Sequence, residues 1–268
     1  MLACLCWTLC PSLTAATLRI MPLGDSITAG YTDNPTWNEP FEFGYRSGLY
    51  TQLTNAGYDF QFVGSSTEPW VSPFPGDPTN GGTHTPTVDL RDFGQDNHHG
   101  YGGVTASFLN ANIASWLTTD NPDIILLKIG TNAQDQTGLN TLVNTIVTNQ
   151  PDAQLIIAQI MPKFNYQQGI VDYNTYIRDT LVPTYQAAGK NVTLVDQYAN
   201  FLTDTGDLTS IDQSLFSNGI NHPDNAGYDL MAESWFGGIQ AVVSVPEPSS
   251  TALLGLGTLA IALRRRRA

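Results

Sequence analysis

The sequence predicts an α/β protein of three layers, a five-stranded parallel sheet with helices on both faces. Three observations predict it. Short apolar, β-prone runs alternate along the chain with longer stretches of helical period. The later runs, Asp123-Ile-Ile-Leu-Leu-Lys-Ile129 and Gln154-Leu-Ile-Ile-Ala-Gln-Ile160, are apolar almost throughout, as in strands covered on both sides. At 268 residues the chain is long enough for one sizeable α/β domain and short for two.

The elements follow in order. Leu18 to Leu23 forms the first strand and stops at the turn Gly24-Asp25-Ser26. A loop rich in Pro, Asn and aromatic residues runs from Tyr31 to Phe43, followed by a helix over Tyr45 to Ala56 and a strand over Asp59 to Val63. Residues 65 to 100 hold Pro69, Pro73, Pro75, Pro78 and Pro86 and keep no period, which reads as a long functional loop. Helices are then expected over Ser107 to Leu117, Leu139 to Thr148 and Ile170 to Ala187, interleaved with strands at Asp123–Ile129, Gln154–Ile160 and Val192–Val195. Pro223 opens a last helix with Tyr228, Met231, Trp235 and Ile239 on one face. No repeat, heptad or glycine-rich phosphate fingerprint interrupts this order.

Charge and the two ends bound the setting. Lys and Arg number 11 against 24 Asp and Glu, and four of the eleven are Arg264 to Arg267. Such an acidic chain is a poor partner for nucleic acid and suits a neutral or cationic ligand. Met1 to Cys10 is an apolar run, and small residues follow up to Ala16, the pattern of a signal peptide over 1–16 that lacks a positive start. A buried first strand is the competing reading. All three cysteines (Cys4, Cys6, Cys10) fall in this run, so cysteine catalysis and a Cys-ligated metal are not expected of the mature domain, 17–243. At the other end come Pro246-Glu247-Pro248, an apolar stretch from Thr251 to Leu263, and the arginine cluster. The apolar stretch is short of the roughly 20 residues that span a bilayer. These three parts resemble the PEP-CTERM sorting signal, here over 244–268. The resemblance implies an exported protein, held transiently at the membrane by this tail and processed by a sorting protease of the envelope.

Ser26, lifted off the end of a strand, is a candidate nucleophile, and a serine needs a neighbouring base to become reactive. Three later segments supply what it lacks. Asn132, after the strand Asp123–Ile129, carries a carboxamide that can donate to an oxyanion, and the Gly100-Tyr-Gly-Gly103 loop can present a backbone amide to the same oxygen. His222, ahead of the last helix, is the candidate base. Each segment alone is also ordinary turn or cap chemistry. In parallel sheets ligands sit at the carboxyl ends of the strands, where Ser26 and Asn132 both fall.

In this order Ser26, Gly103, Asn132 and His222 resemble the blocks of the SGNH (GDSL-type) hydrolases, over about residues 18 to 242. The Gly-x-Ser-x-Gly elbow of the α/β-hydrolases is absent. The resemblance implies a three-layer, flavodoxin-like SGNH fold and a serine esterase without cofactor or metal. It makes Ser26 the nucleophile, His222 the general base, and the Ser26 amide, the Gly103 amide and the Asn132 side chain the oxyanion hole. Ile20-Met-Pro-Leu-Gly-Asp-Ser26, Tyr45-Arg-Ser-Gly-Leu-Tyr50, Asn55-Ala-Gly-Tyr58, Phe62-Val-Gly-Ser65 and His222-Pro-Asp-Asn-Ala-Gly-Tyr228 resemble the acetyl-xylan-esterase branch, the family-3 carbohydrate esterases. That branch implies acetylated polysaccharide as substrate.

One position departs from the family, which places an aspartate three residues before the histidine. Here that position is Gly219. Asn218, one residue earlier, carries no charge, and Asp212 or Asp224 is the alternative acid; a backbone carbonyl could also orient the ring. Candidate substrate-binding residues are Asp25, Trp37, Trp70 and His98, with Phe41 and Phe74 beside the tryptophans in the loops. Packing beneath a loop accounts for these aromatics equally well. His98 and His99 with Asp92 and Asp96 have the composition of a metal site, but His98 matches a position that the esterases use ahead of the glycine block, which favours a structural or substrate-contact role. The competing functions are a lysophospholipase or thioesterase of the same fold and a non-catalytic glycan-binding protein of the envelope.

Overall fold

A computed structural model of the chain describes residues 16–31, 43–66, 89–217 and 219–243. Residues 1–15 and 244–268, much of the two long loops and Asn218 lie outside them.

The sheet grows outward from β1 (Leu18–Gly24), whose last five residues are buried. After the single turn α1 (Ser26–Ala29) and the helix α2 (Tyr45–Asn55), the strand β2 (Phe60–Phe62) returns parallel to the first half of β1, Leu18 facing Phe60 and Ile20 facing Phe62. A two-residue strand β3 (His99–Gly100) pairs with the second half of the same edge, through Leu23 and Gly24. The edge of β1 is therefore filled in tandem by two short strands, and the sheet has six strands in five positions. A strand of two residues has no period to read.

On the other side of β1 come β4 (Ile124–Lys128), β5 (Gln154–Gln159) and β6 (Val192–Asp196), all parallel, in the order β2-β1-β4-β5-β6. The chain reverses its direction of travel across the sheet between β1 and β4, so the carboxyl ends of these two strands are the switch point at which α/β sheets commonly bind ligands.

The continuous apolar strands are explained by the two cores. Ile125 and Leu127 of β4 face one core, with Leu109 and Ile113 of α3 (Ala106–Asp120) and Leu142 and Ile146 of α4 (Gln136–Asn149). Ile124 and Leu126 face the other, with Leu49 and Leu53 of α2 and Met231, Trp235 and Ile239 of α7 (Asn225–Val242). Alternate side chains leave on opposite sides and both sides are covered, so successive positions from Ile124 to Leu127 are apolar.

The helix expected from Ile170 to Ala187 is interrupted. α5 (Gln168–Tyr176) and α6 (Val182–Ala187) are joined through a wider, π-type turn over Ile177–Leu181. Pro183 accounts for it: its ring removes one N–H and crowds the carbonyl one turn back, and a widened turn relieves both. Among the described residues, no helix is long and apolar enough to cross a membrane.

Candidate active site

Ser26 is presented by a turn that only particular residues permit. Gly24 closes β1, and a side chain there would run into the Lys128 carbonyl of the neighbouring strand and the Thr28 hydroxyl. Asp25 caps α1, accepting the Ile27 N–H at 3.1 Å, and Gly30 closes the turn in the left-handed region at φ 100°. Helix ends leave carbonyls unpaired. Buried Arg46 from α2 satisfies two of them, donating to the Thr28 oxygen at 3.2 Å and the Ala29 oxygen at 3.1 Å, and its third arm reaches the Asp96 carbonyl at 2.8 Å. Burial lowers this guanidinium to a pKa of about 10, so it stays charged at neutral pH.

His222 arrives from the opposite end of the chain, just ahead of α7. Its carbonyl accepts the Ser217 N–H at 3.1 Å, and Phe216 pairs with Pro223 beside it. The ring is half-buried, with Nε2 2.8 Å from Ser26 Oγ and the Tyr31 ring edge-on at 6.2 Å. Residues 196 apart in sequence are thus brought to hydrogen-bond distance.

The two oxyanion candidates lie beside each other. Asn132 follows β4 and donates through Nδ2 to the Val104 carbonyl at 2.9 Å, the residue after Gly103. Gly103 has φ +73°, and the space where its side chain would stand is open. The Asn132 carboxamide keeps a second N–H, so the bond to Val104 leaves it able to donate again.

Of the candidate acids, Asp224 caps α7 by accepting the Gly227 N–H at 2.8 Å, and Asp212 accepts the Ser214 N–H at 3.0 Å and its hydroxyl at 2.6 Å. Neither carboxylate is bonded to His222; Asn218 lies outside the described residues. Among the substrate-binding candidates, Trp37 and Trp70 lie outside them too, as do Phe41 and Phe74. Asp25 is wholly buried, and so is His98, whose Nδ1 accepts the Gly100 N–H at 2.8 Å. His99 turns instead to Asp120, and no group of three or more His, Cys, Asp or Glu among the described residues is placed to hold a metal ion.

Sequence reading missed a charged pair beneath the turn. Lys128 Nζ lies 3.2 Å from both carboxylate oxygens of Asp25 and also donates to the Thr131 hydroxyl. Burial lowers the ammonium pKa while Asp25 raises it, with Lys163 adding to the lowering. A single lysine inside Ile-Ile-Leu-Leu-Lys-Ile was the available signal, since a charge in a doubly covered strand requires a partner. Separately, a crevice of about 260 Å³ opens near the ends of β5 and β6, lined by Asn174, Arg178, Asp196 and Tyr198 among others, and it takes in none of Ser26, Asn132 or His222.

Residues 20–235 match the GDSL-like Lipase/Acylhydrolase family. The chain belongs to that family. The GDSL-family domain fills most of its length. Residues 244–267 match the PEP-CTERM protein-sorting motif, which indicates export and sorting to the envelope. Among curated proteins, the chain is 26% identical over 264 residues to a multidomain esterase of Ruminococcus flavefaciens, covering 88% of this chain and 30% of that protein. The GDSL chain thus spans less than a third of that relative's length. Among solved structures, it is similar to a family 3 carbohydrate esterase of Clostridium thermocellum, 27% identical with a TM-score of 0.61, covering 85% of this chain and 97% of that one. A carbohydrate esterase family 3 structure from Talaromyces cellulolyticus, 22% identical with a TM-score of 0.60 and covering 86% and 100%, shares the fold.

Proposed function

We propose that the protein is an exported esterase that removes acyl groups, chiefly acetyl, from carbohydrate through an acyl-enzyme. The observation that carries this reading is the 2.8 Å contact between Ser26 Oγ and His222 Nε2. With the ring proton on Nδ1, Nε2 accepts the serine hydroxyl proton as Oγ attacks the ester carbonyl. The carbonyl oxygen becomes an oxyanion, met by the Ser26 and Gly103 amides and the Asn132 side chain. Collapse expels the sugar alkoxide, which takes the proton from His222. Water then attacks the acyl-serine by the same route, releasing the acid and restoring the hydroxyl. No cofactor is required by these steps.

The carbohydrate substrate is supported by the likeness to the family 3 carbohydrate esterase, and the acetyl preference by the resemblance of the sequence blocks to acetyl-xylan esterases. In this reading residues 1–16 are a signal peptide, 17–243 the mature domain, and the tail a transient membrane anchor that an envelope protease removes. Asn218 remains the sequence candidate for orienting His222, because Asp212 and Asp224 each cap a helix and neither is bonded to the imidazole. Trp37 and Trp70 are the sequence candidates for stacking on sugar rings.

Labelling with a fluorophosphonate, read by intact mass, tests the chemistry. One adduct on Ser26, absent in Ser26→Ala and lost in His222→Ala, is the expected result. A folded chain that takes no adduct would sink the Ser–His reading. Acetate release from acetylated xylan, compared with release from long-chain esters, then tests the substrate.

A further inference from the structure

His99 is wholly buried in β3, and its ring lies flat on Trp116 at 4.2 Å. Nε2 is 2.6 Å from Asp120 Oδ2, at the last residue of α3, and Nδ1 is 3.1 Å from the Tyr101 hydroxyl. Burial holds this imidazole below the usual range, against the opposing pull of Asp120, so it is neutral at pH 7. A neutral ring beside a carboxylate keeps its proton on Nε2, which leaves Nδ1 as an acceptor. The Tyr101 hydroxyl must therefore donate to His99, and its oxygen faces Ser65 Oγ at 3.4 Å. The carboxylate at one end sets the direction of the whole chain of hydrogen bonds.

Tyr101 is two residues from Gly103. In the intervening turn Gly102 rests against the Tyr31 ring, 2.8 Å from where its side chain would begin, and nothing lies within 4 Å of where a Gly103 side chain would stand, while the Val104 carbonyl after it is held by Asn132. The Tyr101 N–H reaches the Gly24 carbonyl at 3.3 Å, the long end of the normal range. What holds the turn on this side is the Tyr101 ring, stacked on Trp116 at 5.5 Å and fixed at its tip by His99.

We propose that Asp120 and His99 are positioning residues, which place the Gly103 amide by fixing the hydroxyl of Tyr101. The proposal rests on the reading of Gly103 as an oxyanion donor. Oxyanion donors act only within a few tenths of an ångström of their target, and losing one outright costs about 10²–10³ in kcat. A turn that is loosened but present loses part of that. Asp120→Asn is the informative change, because a carboxamide can donate to Nε2, drive the ring proton to Nδ1 and remove the acceptor that Tyr101 needs.

The test is kcat and KM on a small acetyl ester for the full chain, for Asp120→Asn, for Tyr101→Phe and for the double variant. Active sites are counted by fluorophosphonate so that misfolded protein drops out. Each single change is expected to lower kcat about tenfold or more with KM within about threefold, and the double to be no worse than the worse single, since both break one chain. Tyr101→Phe keeps the ring on Trp116 and so serves if Asp120→Asn does not fold. Unchanged kcat, or losses that multiply, would overturn the proposal. Ser26→Ala is measured alongside: if it turns over the ester at the parent rate, the site reading itself has failed rather than the positioning of its turn.

Discussion

Lys128 and Asp25 form an ion pair that solvent does not reach, 3.2 Å apart, and Asp25 is the residue before the candidate nucleophile. An ion pair in such a place stabilises little in total but strongly resists being broken, because the charge left behind has no water to turn to. Lys128→Met alone and Asp25→Asn alone should each cost about 3–5 kcal/mol in urea unfolding. The double variant should recover most of that loss. Additive losses would show that the two side chains act independently.

The caps make a contrasting prediction. Asp224→Ala should cost about 1 kcal/mol, the usual value of an N-cap, and Asp212→Ala no more, while kcat on a small ester stays within about twofold in both. A loss of about 10³ or more in kcat with stability unchanged would instead identify that aspartate as the partner of His222.

Stability should also depend on pH through His99. Its folded pKa lies below the ordinary 6.5, so on acidification the unfolded chain takes the proton first. The contribution is fully present above about 6.5 and is lost as the pH falls through the folded value. Urea midpoints at pH 7.5 and 5.5 should therefore differ more for the parent than for His99→Gln. Equal differences in the two proteins would refute the role of His99.

How much of this was legible beforehand depended on whether the signal was local. β4 and β5 were plain, because a strand covered on both faces is apolar at successive positions except where a polar side chain finds a buried partner. Ser26, Asn132 and His222 were picked out by residue type at strand ends and ahead of a helix, and the structure brings Ser26 and His222 together. β3 was invisible: two residues owe their state to Leu23 and Gly24, some 75 positions away. The widened turn before Pro183 was signalled by the proline itself, yet the surrounding helical period outweighed it. Arg46 carried no local sign of its task, since its partners are the carbonyls of a turn that no pattern announces.

The shared edge of β1 has a consequence for inheritance. β2 leaves that edge at Phe62 and β3 rejoins it at His99, opposite residues only three apart on β1, and Ser66 and His98 clamp the exit through two backbone bonds of 3.0 Å. Anything spliced in beyond the clamp meets fixed ends, and doubling the length of a flexible insert costs only about 0.6 kcal/mol. Descendants of this chain can lengthen or shorten residues 67–88 while Leu90, Gln95 and Asp96 keep their contacts and the Ser26 turn keeps its support. An engineer who wished to graft a sugar-reading module onto the enzyme would cut there.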